Sequence, residues 1–324
     1  MSARRQDISH GGGSASQTEL ATIPDCLPAL LELAGERTRY RFIEFFTAQI
    51  RNPGTRSVYA RAVGQFFTWC HLQRKSVEQI NSLDVATYIE SLQGRRSVPT
   101  VKLHLAAIRS LFDYLVSGGA LPVNPAAAVR GPKHVVCKGK TPVLLPEEAR
   151  RLLDAIDVST ISGLRDRALI GVMIFSFARV TATVNMNIED YYPQGRRMWF
   201  RLHEKGGKHH DVPVHHTAEE FVDAYIEQAN IAAIPKKALF RTISRNRQLT
   251  DQRLHRTDVL RMIKRRARNA GLPTTTCCHT FRATGITSYL LGGGLLEHAQ
   301  RIACHSSVRT TKLYDRTSDT ISLD

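Results

Sequence analysis

Apolar positions recur at three- and four-residue steps along most of this chain, the period of helices with one buried face. Between Glu36 and Ile50 the pattern centres on Phe42, Ile43, Phe45 and Phe46. Asn52-Pro53-Gly54 interrupts it, and Thr55 is placed to cap a second helix with the stripe Val58, Ala62, Val63, Phe66, Phe67 and Cys70. A shorter helix is expected over Leu83–Leu92, ended by Gln93-Gly94. Another runs from Pro99 to Val116, with Val101, Leu105, Ile108, Phe112 and Leu115 on its face. Ser117-Gly118-Gly119 stops it, and a proline-bearing turn follows. Residues 36–130 therefore read as a compact all-α domain, preceded by a weakly ordered lead over residues 1–35.

The pattern lapses in residues 131–145, which are rich in proline, glycine and lysine and read as an inter-domain linker. Pro146-Glu147-Glu148 restarts it, with proline in the first turn and acid at the positive end of the helix dipole. Gly163–Ala178 is a more apolar helix, expected to run through a second core. Met198–Leu202 and Asp211–Val214 flank Lys205-Gly206-Gly207-Lys208 and read as a β-hairpin with a glycine turn. From Thr217 onward helices dominate again. The expected fold is mainly α with a small β-sheet, in two domains, the second spanning residues 146–324.

Charge narrows the class of partner. Lys plus Arg number 45 against 29 Asp plus Glu, a formal net charge of +16 in 324 residues. An excess of that size favours a polyanion, through counterion release on nucleic acid or attraction to an anionic membrane. No apolar run reaches the ~18 residues of a spanning helix, and the N-terminal residues lack the apolar core of a signal peptide. Nucleic acid is therefore the favoured partner and a membrane the weaker option. The six cysteines are scattered, with no C-x-x-C pair, which fits a reducing, cytoplasmic compartment.

Candidate chemistry concentrates between Cys278 and Arg316. His279 and Arg282 lie three residues apart, on one face of a helix. His305 and Tyr314 follow after two short apolar-periodic segments, close enough to fold back on the first pair. A fixed cation, two imidazoles and a phenol suit an oxyanion held while a hydroxyl attacks it. A phenol at neutral pH is about one part in a thousand ionised, so Tyr314 acts as a nucleophile only where neighbours stabilise the phenolate or take its proton.

This stretch resembles the C-terminal motif of the tyrosine recombinase (phage integrase) family, in which an H-x-x-R pair precedes an L-G-H-S-S-like segment and a nucleophilic tyrosine. The domain layout is similar as well, a SAM-like helical core-binding domain followed by an integrase-type catalytic domain. Phe177-Ala178-Arg179-Val180-Thr181 looks like the segment of the family's first catalytic arginine, although an arginine capping a helix C-terminus reads the same way. Glu204-Lys205-Gly206-Gly207-Lys208 resembles the family's G-K-G-N-K turn, whose first lysine protonates the leaving 5′-oxygen; Lys208 competes with Lys205 for that part. The resemblance thus implies a catalytic set of Arg179, Lys205, His279, Arg282, His305 and Tyr314. Three positions depart from the pattern: Ala182 where an acid is common, Ala283 where histidine is frequent, and Cys304 in place of glycine before His305.

The implied activity is site-specific cutting and rejoining of double-stranded DNA through a 3′-phosphotyrosine, by a nucleoid-associated homotetramer on paired sites, with accessory DNA-bending or directionality proteins as further partners. A type IB topoisomerase and a catalytically silent DNA-binding regulator are the alternatives. Two arginines and a lysine do the charge work, so no metal or cofactor is expected; His209, His210, His215, His216, Cys277 and Cys278 lack zinc-site spacing. Ten Lys or Arg lie between Arg241 and Arg268, and Arg261, Lys264, Arg265 and Arg268 share a helical face suited to phosphate contacts. Arg56, Arg61, Lys102 and Arg109, off the apolar stripes, are the DNA-facing candidates of the first domain.

Overall fold

The structure is a computed structural model and describes residues 29–32, 34–134, 139–204, 207 and 209–315. The chain divides into two compact units, Met1–Val135 and Val136–Asp324.

Four main helices build the first unit: α1 (Glu36–Glu44), α2 (Pro53–Leu72), α3 (Ser82–Leu92) and α4 (Val98–Ser117). A π turn over Phe45–Gln49 prolongs α1 and buries Phe45 and Phe46 beside Phe42. Ile43, expected on that stripe, lies one position round the helix and is exposed. Helix α2 is capped by Asn52, whose side chain accepts from the Thr55 N–H at 3.0 Å with Pro53 in the first turn. Thr55 is thus the capped residue and not the cap. Burial along α2 begins only at Ala60, so Val58 faces out as well. Phe66, Phe67 and Phe112 join α2 to α4 in an aromatic core. Leu30 and Leu31, within the lead expected to be weakly ordered, are buried in the same core.

The second unit is arranged around α6 (Ile161–Phe175), which follows α5 (Pro146–Asp154) and is buried along nearly its whole length. Helices α8 (His216–Ala229) and α10 (Cys278–Leu291) pack on it most extensively. The α10 crossing is close: a Cβ on Gly285 would come within 1.9 Å of the Ile174 carbonyl oxygen, so only glycine permits this approach. Between α7 (Val180–Asn185) and α8 lies an antiparallel sheet in the order β1 (Tyr191–Gln194), β2 (Arg197–His203), β3 (His209–Pro213). The β2–β3 hairpin is the expected one, with His203 opposite His209.

A second hairpin, β4 (Arg241–Ile243) with β5 (Leu249–Arg253), falls in a stretch expected to be helical. Its strands carry few apolar residues and so give no period-two signal. Helix α9 (Arg256–Asn269) is tied to α6 by Asp166, fully buried, which receives Arg266 Nη2 at 2.8 Å and Arg165 Nη2 at 2.6 Å. Helices α11 (Leu296–Ile302) and α12 (Val308–Lys312) complete the unit. Gly139 and Leu144, in the expected linker, bond into this unit: Gly139 N–H donates to Leu313 O at 3.1 Å and Leu144 N–H to Thr284 Oγ1 at 3.0 Å. Such tethers are long-range and leave no periodic trace in the sequence. Among the described residues no helix is long and apolar enough to cross a membrane.

Candidate active site

Helix α10 supplies His279 from its first turn and Arg282 one turn on, three residues before the close crossing at Gly285. Arg282 is among the most deeply buried side chains of the molecule. Its guanidinium donates to the carbonyls of Phe177 and Ala303. Both carbonyls sit at left-handed backbone turns, at Phe177 (φ 54°) and at Cys304 (φ 49°) immediately after Ala303. Non-glycine residues hold that conformation only where surrounding contacts enforce it. The reward here is two oxygens aimed at one arginine. Arg282 Nε remains buried without a hydrogen-bond partner among the described residues. Burial first, then the nearby Arg179 charge, pushes the Arg282 guanidinium down to about 10, still protonated at neutral pH.

Arg179 stands at the N-cap position of α7, just beyond the Phe177 turn, and not on the last turn of α6. Its side chain is 40 % exposed, and Nη1 meets Glu204 Oε2 at 2.5 Å, a carboxylate only 3 % exposed. Glu204 was not singled out from the sequence: its partner is 25 residues away, and nothing local marks it. Its other oxygen, Oε1, is buried and unpartnered among the described residues. Lys205 and its competitor Lys208 lie outside the described residues.

His305 follows α11 in a turn closed by reciprocal bonds with Gln300, from His305 N–H to Gln300 O at 3.1 Å and from Gln300 Nε2 to His305 O at 3.1 Å. Its Nδ1 lies 3.0 Å from Thr311 Oγ1. Tyr314 comes just after α12, with its carbonyl accepting from Thr287 Oγ1 of α10 at 2.9 Å. The phenol ring stacks on His305 with centroids 5.7 Å apart and planes 10° apart. The phenol oxygen lies 2.8 Å from His279 Nε2.

Protonation follows from this packing. Burial, then the charges of Arg282 and Arg179, lowers the His279 imidazole below its ordinary value. The same causes with His279 added push His305 down to about 3. Both rings are therefore neutral at pH 7. Burial raises the Tyr314 phenol, while Arg282 and Arg179 pull it the other way. In the tautomer that carries its proton on Nδ1, the neutral His279 imidazole accepts at Nε2 from the phenol, the arrangement a general base needs.

The structure thus brings together Arg179, His279, Arg282, His305 and Tyr314, with Glu204, Thr287 and Thr311 as supports that the sequence did not announce. Of the basic residues expected to face DNA, Arg61, Lys102, Arg261, Arg265 and Arg268 are exposed. Lys264 donates to the Thr274 carbonyl. Arg56 and Arg109 serve the fold: Arg56 donates to Ile50 O at 3.1 Å, and Arg109 to Ala126 O at 3.2 Å and Val129 O at 2.6 Å.

A mainly helical unit with a small sheet, carrying an H-x-x-R helix and a late tyrosine, defines the class. The chain belongs to the phage integrase family, the tyrosine recombinases that cleave and rejoin DNA: the family model matches residues 142–320, and the model of the phage integrase N-terminal SAM-like domain matches residues 39–118. Among curated relatives it is 29% identical to tyrosine recombinase XerC of Chlamydia muridarum (strain MoPn / Nigg) over 230 residues, 71% of this chain and 70% of the relative. Its fold is similar to that of XerH site-specific recombinase bound to palindromic difH substrate in a post-cleavage complex, with a TM-score of 0.70 at 17% identity over 91% of this chain and 96% of that one. A lambda integrase tetramer bound to a Holliday junction is similar at a TM-score of 0.63, with 16% identity over 94% and 82% of the two chains.

Proposed function

We propose that this site-specific recombinase uses Tyr314 as its nucleophile, with Arg179 and Arg282 clamping the scissile phosphate. The phenol oxygen attacks phosphorus and passes its proton to His279, and the bond to the 5′-oxygen breaks. The product is a 3′-phosphotyrosine and a free 5′-hydroxyl, and Lys205 protonates the departing oxygen. The 5′-hydroxyl of another strand then reverses the step. The phosphoester bond energy is kept throughout, without a nucleotide cofactor. His305 braces the phenol ring and faces the same phosphate.

The observation that carries this reading is the Tyr314 phenol, held 2.8 Å from a neutral imidazole and under the charges of two buried or half-buried arginines. The unpartnered Arg282 Nε adds to it, since a buried donor without an acceptor suits an incoming phosphate oxygen. Support for Lys205 is its place in the hairpin motif. Exposed Arg61, Lys102, Arg261, Arg265 and Arg268 are proposed to contact the DNA backbone. Strand exchange needs two duplexes, and the likeness to a tetramer on a Holliday junction supports a homotetramer on paired sites. The setting proposed is the DNA-containing cytoplasm.

A nicked duplex that loses the short fragment beyond the cleavage point traps the covalent state. Wild-type protein is expected to form a denaturation-resistant adduct, and Tyr314→Phe to form none while binding DNA with unchanged affinity. Strand exchange between two labelled duplexes then separates recombination from relaxation. A protein that binds its site and forms no Tyr314-dependent adduct refutes the assignment.

A further inference from the structure

The five described catalytic candidates are two arginines, two histidines and a phenol, and none of them is acidic. Glu204 brings an acid to them from the end of the β2 strand. It continues the inward register of Phe200 and Leu202, two fully buried residues at alternate positions on β2. An apolar residue would continue that face at no electrostatic penalty, whereas a buried carboxylate with one unmatched oxygen is a weak way to stabilise a fold. Among the described residues the glutamate makes one side-chain hydrogen bond, Oε2 with Arg179 Nη1 at 2.5 Å. Helix α7 offers Arg179 no acid of its own, since the position one turn on is the buried methyl of Ala182. The Glu204 charge also reaches Arg282, where it counters the effects of burial and of Arg179.

We propose that Glu204 is a positioning residue of the phosphate clamp: it grips Arg179 by one nitrogen so that the rest of the planar fork is presented to the scissile phosphate. A guanidinium on a half-exposed side chain otherwise samples many rotamers, and fixing one edge pre-organises the other at little further entropic cost. The negative charge also lets two guanidinium groups remain close before DNA arrives. This inference rests on reading Arg179 and Arg282 as the clamp.

The test is Glu204→Gln, which keeps size and an accepting oxygen but removes the charge. In single-turnover cleavage of the nicked duplex, the adduct is expected to form about ten- to a hundredfold more slowly. The Kd for uncleaved duplex at fixed salt is expected to stay within about twofold or to tighten, because a negative charge has left a phosphate site. A merely structural lesion moves both readouts the same way, so affinity lost in step with rate overturns the proposal. An unchanged rate overturns it as well. Faster cleavage does too, because it makes Glu204 a competitor of the phosphate. Introduced into Arg179→Ala, the same change is expected to alter the residual rate by less than about twofold, since it has no fork left to position. Wild-type protein serves as the separate control: absence of its Tyr314-dependent adduct refutes the catalytic reading, whereas an adduct formed equally well by Glu204→Gln refutes only the positioning role.

Discussion

Tyr314 presents its phenol oxygen 2.8 Å from Nε2 of His279, a residue 35 positions earlier in the chain. The His279 imidazole is held below the ordinary histidine value of 6.5 by burial and by the charges of Arg282 and Arg179. It is therefore neutral at neutral pH, able to accept the phenol proton, and becomes cationic only as pH falls to its lowered value. The cleavage rate is expected to be flat near neutrality and to drop on acidification below pH 6.5. In His279→Gln the plateau falls by about 10²–10⁴ and the acid limb attributable to this group disappears. A pH–rate profile of adduct formation measures both.

His305, pushed down to about 3 from 6.5, makes a different prediction about the fold itself. The unfolded chain binds a proton at this position below pH 6.5, whereas the folded chain resists it down to about 3. Stability contributed by this group is thus complete above pH 6.5 and is lost progressively as pH falls through that window. The Tm difference between wild type and His305→Gln is expected to shrink steadily from pH 7 to pH 4. Thermal melts of the two proteins across that range check it.

Cys304 adopts φ 49° in the turn that delivers the Ala303 carbonyl to Arg282. Glycine occupies that region freely, while other residues carry about 1–2 kcal/mol of strain there. Cys304→Gly is expected to raise stability by up to about 1 kcal/mol, the remainder being offset by the greater freedom of glycine in the unfolded chain. Denaturant titration reads the change, and catalysis should be retained because the turn keeps its shape.

The basic residues divide into two kinds that salt dependence separates. Arg261 and Arg268 are exposed on α9, and Arg261→Ala or Arg268→Ala should each lower the slope of log Kd against log salt by about 0.9. Arg109 is committed to the Ala126 and Val129 carbonyls. Arg109→Ala is therefore expected to destabilise the first unit by about 1–3 kcal/mol and to leave the salt slope unchanged.

Most of the helices, and the sharing of one helix face by His279 and Arg282, were legible in the sequence because each rests on a local signal. The period of Val101, Leu105, Ile108, Phe112 and Leu115 reports a buried face directly, and His279 with Arg282 needs only the pitch of one helix. What stayed hidden depends on distant partners. Arg56 and Arg109 look like free surface cations because they fall off the apolar stripes, and only the fold reveals the carbonyls that occupy them. Val58 keeps a helical step yet lies outside the core, because periodicity cannot say where along a helix packing begins. Glu204 sits within the quoted hairpin motif, but its meaning depends on Arg179 arriving from another element. The β4–β5 hairpin leaves no alternating signal because Arg241-Thr242-Ile243 and Leu249–Arg253 are too polar.

Thr287 holds the Tyr314 backbone while His279, eight residues earlier on the same helix, meets its side chain. Tyr314 is consequently fastened lengthwise along the helix that also bears Arg282. On the proposed reading of the site, the copy whose arginines grip a phosphate is expected to be the one whose Tyr314 cuts it. Copies crippled at Tyr314 and copies crippled at Arg282 should then fail to rescue one another when mixed.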